Sequence, residues 1–138
     1  MAHRVSLSAP LTFAPVQLWL PQLGLARCMR AVLTRHTGEP VGLPGPEHCH
    51  YPATPLCTLS WLFEGQYHWR EVGGQRESLD AQVMFTGPQR QPSVQCMSRP
   101  ASGLMLLLYP DALVQMTGLE LGSCMDRIRP LAKVLPPD

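Results

Sequence analysis

Short runs of alternating apolar and polar residues, separated by glycine and proline, fill the middle of the chain. The clearest run is 57–63, where positions 57, 59, 61 and 63 are apolar and positions 58 and 60 carry hydroxyl groups. Such alternation predicts a half-buried β-strand, because successive side chains of an extended chain point to opposite faces. Similar patterns predict further strands at 24–37, 67–72, 79–85 and 94–96, and the continuous apolar run 104–109 predicts a strand buried on both faces.

Turn residues separate these predicted strands. Gly73-Gly74 indicates a two-residue hairpin, and Gly87-Pro88 ends the strand before it. The segment 38–55 contains five prolines and three glycines, a density that predicts a long loop. Short strands joined by so many turns favour an antiparallel sandwich or barrel over a parallel sheet with crossover helices.

The pattern becomes helical after position 109. The segment from Pro110 to Gly118 begins with proline and an acidic residue and ends with glycine, as short helices do. Apolar residues then recur at helical spacing, which predicts a second helix that Pro130 ends. These residues are Leu121, Cys124, Met125 and Ile128.

These patterns divide one domain into four segments. Residues 1–22 contain three prolines among apolar residues and are expected to form an N-terminal arm. Residues 23–109 form the β-rich body, and residues 110–130 form a helical segment that packs on the body or lies in a dimer interface. Residues 131–138 end in Leu-Pro-Pro-Asp and are expected to be a truncated linker.

Composition and charge exclude several classes of function. Eleven basic residues against ten acidic ones give a formal net charge of +1, so the chain lacks the basic surface that binds nucleic-acid phosphates. The longest apolar run, 104–109, is too short to cross a bilayer and no signal-like stretch opens the chain, so we expect a cytoplasmic protein that does not contact a membrane. Five cysteines without close pairing predict free thiols rather than a disulfide framework.

Four motifs, in order along the chain, resemble the N-terminal sensor domain of AraC-type transcriptional regulators over residues 23–135. They are His50-Tyr-Pro-Ala with Leu59-Ser-Trp-Leu-Phe-Glu-Gly65, Met84-Phe-Thr-Gly-Pro-Gln89 with Pro92, Leu106-Leu-Leu-Tyr-Pro-Asp-Ala-Leu113, and Asp126-Arg-Ile-Arg-Pro130. The resemblance implies a mostly-β fold, a cupin-like antiparallel β-barrel (double-stranded β-helix) over 23–109 with one or two short C-terminal helices. It also implies a small-molecule effector and a homodimer.

In that family, DNA is bound by a C-terminal pair of helix-turn-helix units. The segment after Pro130 is too short to hold even one such unit, so we expect this chain to reach DNA only through a missing C-terminal domain. The chain would then be a fragment of a bacterial regulator, or a stand-alone sensor homologue. In the regulator, a ligand would act by shifting a conformational equilibrium that the attached DNA-binding helices respond to.

His48-Cys49-His50 is the densest group of potential metal ligands, because imidazole and thiolate both bind zinc and similar transition metals. Metal-dependent cupins add a glutamate soon after the second histidine and a further histidine after a glycine-proline turn. Here those windows hold Thr54 and Pro55, and the residues from Gln89 to Pro92. With two of four ligands absent, we expect neither a cofactor nor catalysis; a zinc site would need Cys49 as its third ligand. The alternative is a metal-dependent cupin-type enzyme.

Ligand binding is the function that these patterns favour. Aromatic side chains on the predicted strands would line a pocket, with a few polar residues at its rim. The lining residues are Trp61, Phe63, Tyr67, Trp69 and Phe85, and the rim residues are His50, Glu64 and Gln89. If these aromatic residues instead fill the barrel, the chain becomes a stand-alone oligomeric interaction module.

Overall fold

Two antiparallel β-sheets make up most of the structure, which is a computed structural model and describes residues 11–13, 16–37 and 46–135. The sheets face each other, and apolar side chains from both form a shared core between them. Neither sheet closes on itself within the described residues. The fold is therefore mostly β, with the layout of a β-sandwich.

The larger sheet, sheet A, has seven strands in the described part of the chain. Numbered along the chain and given in spatial order, they are β1 (Leu11–Phe13), β2 (Val16–Trp19), β3 (Met29–Thr37), β10 (Ala101–Leu108), β5 (Cys57–Glu64), β8 (Val83–Thr86) and β11 (Ile128–Pro130). The smaller sheet, sheet B, has four. They are β4 (Glu47–Tyr51), β9 (Ser93–Met97), β6 (Tyr67–Val72) and β7 (Gln75–Ser78).

Apolar side chains are buried in two places. The core between the sheets contains Leu62 and Met84 from sheet A, and Tyr67 and Met97 from sheet B. A second cluster lies on the outer face of sheet A, where Phe85 packs with residues of the C-terminal segment, including Leu113 and Cys124. Sheet A is therefore covered on part of both faces.

Several strands agree with the sequence prediction. The strand predicted over 57–63 is confirmed as β5, and the hairpin at Gly73-Gly74 is confirmed between β6 and β7. Gly73 and Gly74 have φ angles of +57° and +79°, the left-handed pair that a tight hairpin turn requires. Every strand pairing in the described residues is antiparallel, as the short spacing of turns predicted.

The loop predicted over 38–55 is wrong for part of its length, because β4 (Glu47–Tyr51) lies inside it. Residues 38–45 lie outside the described residues. The segment 1–22 was predicted to be an arm, and its described part contains β1 and β2, which extend the edge of sheet A beside β3. Residues 1–10, 14 and 15 also lie outside the described residues.

Of the two helices predicted in the C-terminal segment, the first is present and the second is not. Helix α1 (Pro110–Thr117) starts with proline and ends at Gly118 in the left-handed conformation, as predicted. The second predicted helix is wrong: a 3-10 helix (Leu121–Cys124) is followed by Asp126 at a φ of +57° and then by β11. The left-handed residue turns the chain back to sheet A, so Cys124 and Ile128 are both buried without an α-helix.

A second short helix, α2 (Leu131–Val134), begins where the linker was predicted. Its residues Leu131 and Val134 pack against the cluster on the outer face of sheet A. Residues 136–138 lie outside the described residues. No helix in the described part is long and apolar enough to span a membrane.

Candidate ligand-binding site

A cavity of about 170 Å³ lies between the two sheets. Most of its wall is apolar, with residues from β2, β3 and β10 of sheet A and from β9 of sheet B. They include Val16, Leu33, Met105, Ala101 and Met97. Four polar side chains also line it: Arg35, Tyr51, Ser60 and Tyr67. Apolar walls with a few convergent polar groups are typical of small-molecule sites.

Strand register places these side chains on the inner face of sheet A. Leu33 lies opposite Met105, which lies opposite Ser60, and residues directly paired across antiparallel strands share a face. Arg35 lies opposite Gly103 on the same face. Gly103 also allows β10 to approach β5, because a Cβ atom there would lie 2.7 Å from the carbonyl oxygen of Trp61.

Arg35 connects the two sheets beside the cavity. Its Nη2 donates to Oε1 of Glu47 over 2.6 Å, and its Nη1 donates to Sγ of Cys49 over 2.9 Å. Tyr51, on the same strand as Glu47 and Cys49, also lines the cavity. Nε of Arg35 and Oε2 of Glu47 are buried without a hydrogen-bond partner in the described residues. This polar cluster therefore has unused hydrogen-bonding capacity.

The thiol and the two phenols of the site are protonated at neutral pH, and burial raises the pKa of each of them further. It raises the pKa of the Cys49 thiol, and the charge of Arg35 opposes this only in part. It raises the pKa of Tyr67 to about 12, although a hydrogen bond with Ser60 acts in the opposite direction. Burial likewise raises the pKa of Tyr51. The phenols are therefore hydrogen-bond donors, and the thiol is not an activated nucleophile.

Two of the eight predicted ligand-binding residues, Tyr67 and Trp61, border this cavity. Trp61 alternates with the inward-facing Ser60 and Leu62, so its side chain lies on the outer face of sheet A. Phe63 and Trp61 lie side by side, 62 % and 47 % exposed, with ring centroids 5.8 Å apart. Phe85 is buried in the cluster on the outer face of sheet A instead. The prediction that the aromatic side chains of β5 point into a pocket between the sheets is wrong, because Ser60 and Leu62 are the buried β5 residues that face sheet B.

The other predicted residues also lie away from the cavity. Trp69 stands on sheet B beneath Arg76, whose guanidinium carbon is 3.7 Å from the ring centroid. Gln89 is buried and accepts a hydrogen bond from Ser93. His50 and Glu64 are exposed and do not line it. The predicted aromatic pocket is therefore not assembled.

The proposed metal ligands point to opposite sides of sheet B. His48 and His50 are exposed on β4, whereas Cys49 between them is 4 % exposed and faces Arg35. His48 lies against the ring of Trp69, with centroids 5.5 Å apart. Within the described residues, no group of three His, Cys, Asp or Glu side chains is placed to hold a metal ion. The structure does not bring the predicted trio together.

Sequence reasoning missed Arg35, Glu47, Tyr51 and Ser60. The prolines and glycines around β4 led to the prediction of a loop there. The five residues of the strand, Glu-His-Cys-His-Tyr, nevertheless alternate, and positions 47, 49 and 51 share the inner face. That alternation was the available signal. All five cysteines are free, as predicted, and only Cys28 is not fully buried.

Comparisons with protein-family models, curated proteins and solved structures found no match to this chain. The functional assignment therefore depends on the geometry of the site.

Proposed function

We propose that this chain is a ligand-sensing domain that binds one small, mainly apolar molecule in the cavity between its sheets. The observation that carries the proposal is the meeting of apolar walls with Arg35, Tyr51 and Tyr67 in one space. Such a combination gives affinity through burial of apolar surface and orientation through a few polar contacts.

The size and polarity of the cavity define the ligand class. An engineered apolar cavity of about 150 Å³ binds benzene. The present cavity, about 170 Å³, is similar in volume but has polar groups beside it. Those groups donate hydrogen bonds, since Arg35 is a cation and both phenols are protonated. The ligand is a ring or branched chain with one acceptor head group, such as a carboxylate or a carbonyl.

The resemblance to AraC-type regulators supports a role for this binding in gene regulation. In this proposal the two sheets are the walls of a cupin-like barrel, and ligand binding alters how they pack against each other and against the C-terminal segment. A DNA-binding half would follow residue 138. If the reading frame continues into two helix-turn-helix patterns, the regulator proposal is supported; a stop codon directly after Asp138 would favour the stand-alone module.

Self-association is part of the proposal. Trp61 and Phe63 are exposed side by side on the outer face of sheet A, and Leu104 and Leu106 face the same way on the next strand. Exposed apolar side chains grouped on one face suit a second copy of the same chain, because a two-fold dimer places identical patches against each other. We therefore propose a homodimer through this outer face.

Ligand binding is tested by thermal denaturation with a panel of small carboxylates and carbonyl compounds, including benzoate, phenylacetate and isovalerate. Leu33→Phe fills space in the cavity, and Leu23→Phe adds the same bulk at a position that is 94 % exposed and lies outside both the cavity and the proposed dimer face. A ligand at a hundred times its Kd stabilises the folded state by about 2.7 kcal/mol. We expect this gain in wild type and in Leu23→Phe.

If the ligand stabilises the wild type and the control variant but not Leu33→Phe, the ligand binds in the cavity. If no compound stabilises the wild type, or if both variants keep the full effect, the ligand-sensing proposal is contradicted.

A further inference from the structure

A second, more polar pocket lies at the opposite edge of sheet A. It has a volume of about 440 Å³ and opens between the β6–β7 hairpin of sheet B and strand β11 of sheet A. Four arginines and two carboxylates line it: Arg70, Arg76, Arg127, Arg129, Glu77 and Asp126. We call this the arginine pocket. It shares no residue with the cavity between the sheets.

Arg70 is a buried cation that has too few partners. Its side chain is 2 % exposed, and its Nη1 donates to the carbonyl oxygen of Asp126 over 3.3 Å. Nε and Nη2 have no hydrogen-bond partner in the described residues. The nearest carboxylate oxygen, from Glu77, is 3.6 Å away, and that side chain is 56 % exposed. A buried charge with such weak compensation is costly, so it favours an additional anion.

Two of the lining groups are already occupied by other partners. Arg76 forms an ion pair with Glu71 and lies over the ring of Trp69. Both carboxylate oxygens of Asp126 accept hydrogen bonds from Arg90. Glu71 and Arg90 therefore already pair with these two groups, which together add no net charge to the pocket.

The remaining groups leave an excess of positive charge. Arg127 and Arg129 form no ion pair within the described part of the chain. With Arg70, they are three arginines without a close ion pair among the lining residues of a pocket whose one weakly paired carboxylate is Glu77. An arginine-rich lining that comes from both sheets favours an anion with several oxygens and more than one negative charge.

We propose that the arginine pocket binds a phosphate group, either as inorganic phosphate or as the head of a small phosphate monoester. Arg127 and Arg129 on the β11 side contact its oxygens. Glu77 turns outward into solvent and yields its place near Nη1 of Arg70. The bound anion then joins the hairpin of sheet B to the edge of sheet A. This site is separate from the proposed sensing cavity, because the two have no lining residue in common.

The test is calorimetric titration of the folded chain with inorganic phosphate and with glycerol 3-phosphate, at constant ionic strength maintained with chloride. Arg127→Ala and Arg129→Ala each remove one contact, and we expect each to weaken binding about fivefold or more. Glu77→Gln removes the competing carboxylate and should strengthen binding. Arg27→Ala, at an exposed position outside the pocket, is the matched control and should leave the affinity unchanged.

The two phosphate compounds distinguish the sources of the anion. Tighter binding of the monoester identifies a phosphorylated small molecule, whereas equal affinity identifies free phosphate. The proposal is overturned if phosphate gives no saturable binding, or if Arg127→Ala and Arg129→Ala weaken it no more than Arg27→Ala. Leu33→Phe should leave phosphate binding intact, so failure of the sensing cavity and failure of this site are separate results.

Discussion

Arg35 on sheet A donates a hydrogen bond to the buried sulfur of Cys49 on sheet B, with 2.9 Å between Nη1 and Sγ. The other terminal nitrogen of the same guanidinium lies 2.6 Å from a carboxylate oxygen of Glu47. One side chain thus joins the sheets beside the proposed ligand cavity. Its partners are two inner-face positions of the same strand, β4.

Replacing Arg35 with methionine should destabilise the fold more than replacing its partner. Arg35→Met leaves the Glu47 carboxylate, with a side chain 13 % exposed, without a cation, and we expect a loss of about 3 kcal/mol in the free energy of unfolding. In Glu47→Gln the arginine is 31 % exposed and reaches water, so the loss should be about 1 kcal/mol. Urea denaturation at pH 7 measures both.

The double variant Arg35→Met with Glu47→Leu provides the control. It removes both charges, so it should be more stable than Arg35→Met alone. An Arg35→Met protein within about 0.5 kcal/mol of wild type would show that the contact between the sheets contributes little.

Stability should fall in alkaline solution. Burial raises the pKa of Cys57 from 9.0 to about 11 and that of Tyr67 from 10.0 to about 12. Between pH 9 and 12 the unfolded chain therefore loses protons that the folded chain retains. Fewer protons on the unfolded state mean that the free energy of unfolding decreases as pH rises, by at most about 1.4 kcal/mol per pH unit for each group.

Urea denaturation at several pH values from 8 to 11.5 measures this slope. Tyr67→Phe removes one of the two groups and should make the upper part of the curve less steep. A wild-type curve that is flat up to pH 11.5 would contradict the burial of both groups.

The β6–β7 hairpin should depend on glycine at its tip. Gly74 has a φ of +79°, and no atom lies within 4 Å of the place that a Cβ would take, so Gly74→Ala introduces backbone strain without a clash. We expect a loss of about 1 kcal/mol in the free energy of unfolding. Gly122→Ala is the matched control, because that position is equally open but lacks a positive φ. Equal effects of the two substitutions in denaturation experiments would argue against the hairpin geometry.

Exposed aromatic residues on sheet A should determine the oligomeric state. If the chain dimerises through this face, Phe63→Ser should convert the dimer to a monomer in light scattering at micromolar concentration. Met116→Ser is the control, since Met116 is 61 % exposed on α1, comparable to Phe63 at 62 %. A monomeric wild type, or equal effects of both substitutions, would contradict dimerisation through this face.

The sequence predicted the strand β5 and the β6–β7 hairpin because their local signals are strong. Alternation over 57–63 identified two faces of β5, but alternation alone does not show which face is inside. The larger apolar side chains suggested that Trp61 and Phe63 point inward. The structure places Ser60 and Leu62 there instead, where both line the cavity between the sheets with Tyr67.

The polar part of the candidate site could not be predicted because its members are distant in sequence. Arg35 and Glu47 meet only when β3 and β4 are placed on facing sheets, and no local pattern encodes that contact. The prediction of a second helix is wrong for a similar reason. Cys124 and Ile128 have helical spacing, yet burial against sheet A places them in a 3-10 helix and a strand.

The central claim, a ligand in the cavity between the sheets, is tested most directly by the methionine methyl groups. Met97 and Met105 line the cavity, whereas Met116 is exposed on α1. In a protein labelled with ¹³C at the methionine methyls, titration with the stabilising carboxylate should shift the signals of Met97 and Met105 saturably and leave Met116 unchanged. Signals of Met97 and Met105 that do not move, or that move no more than Met116, would contradict the account.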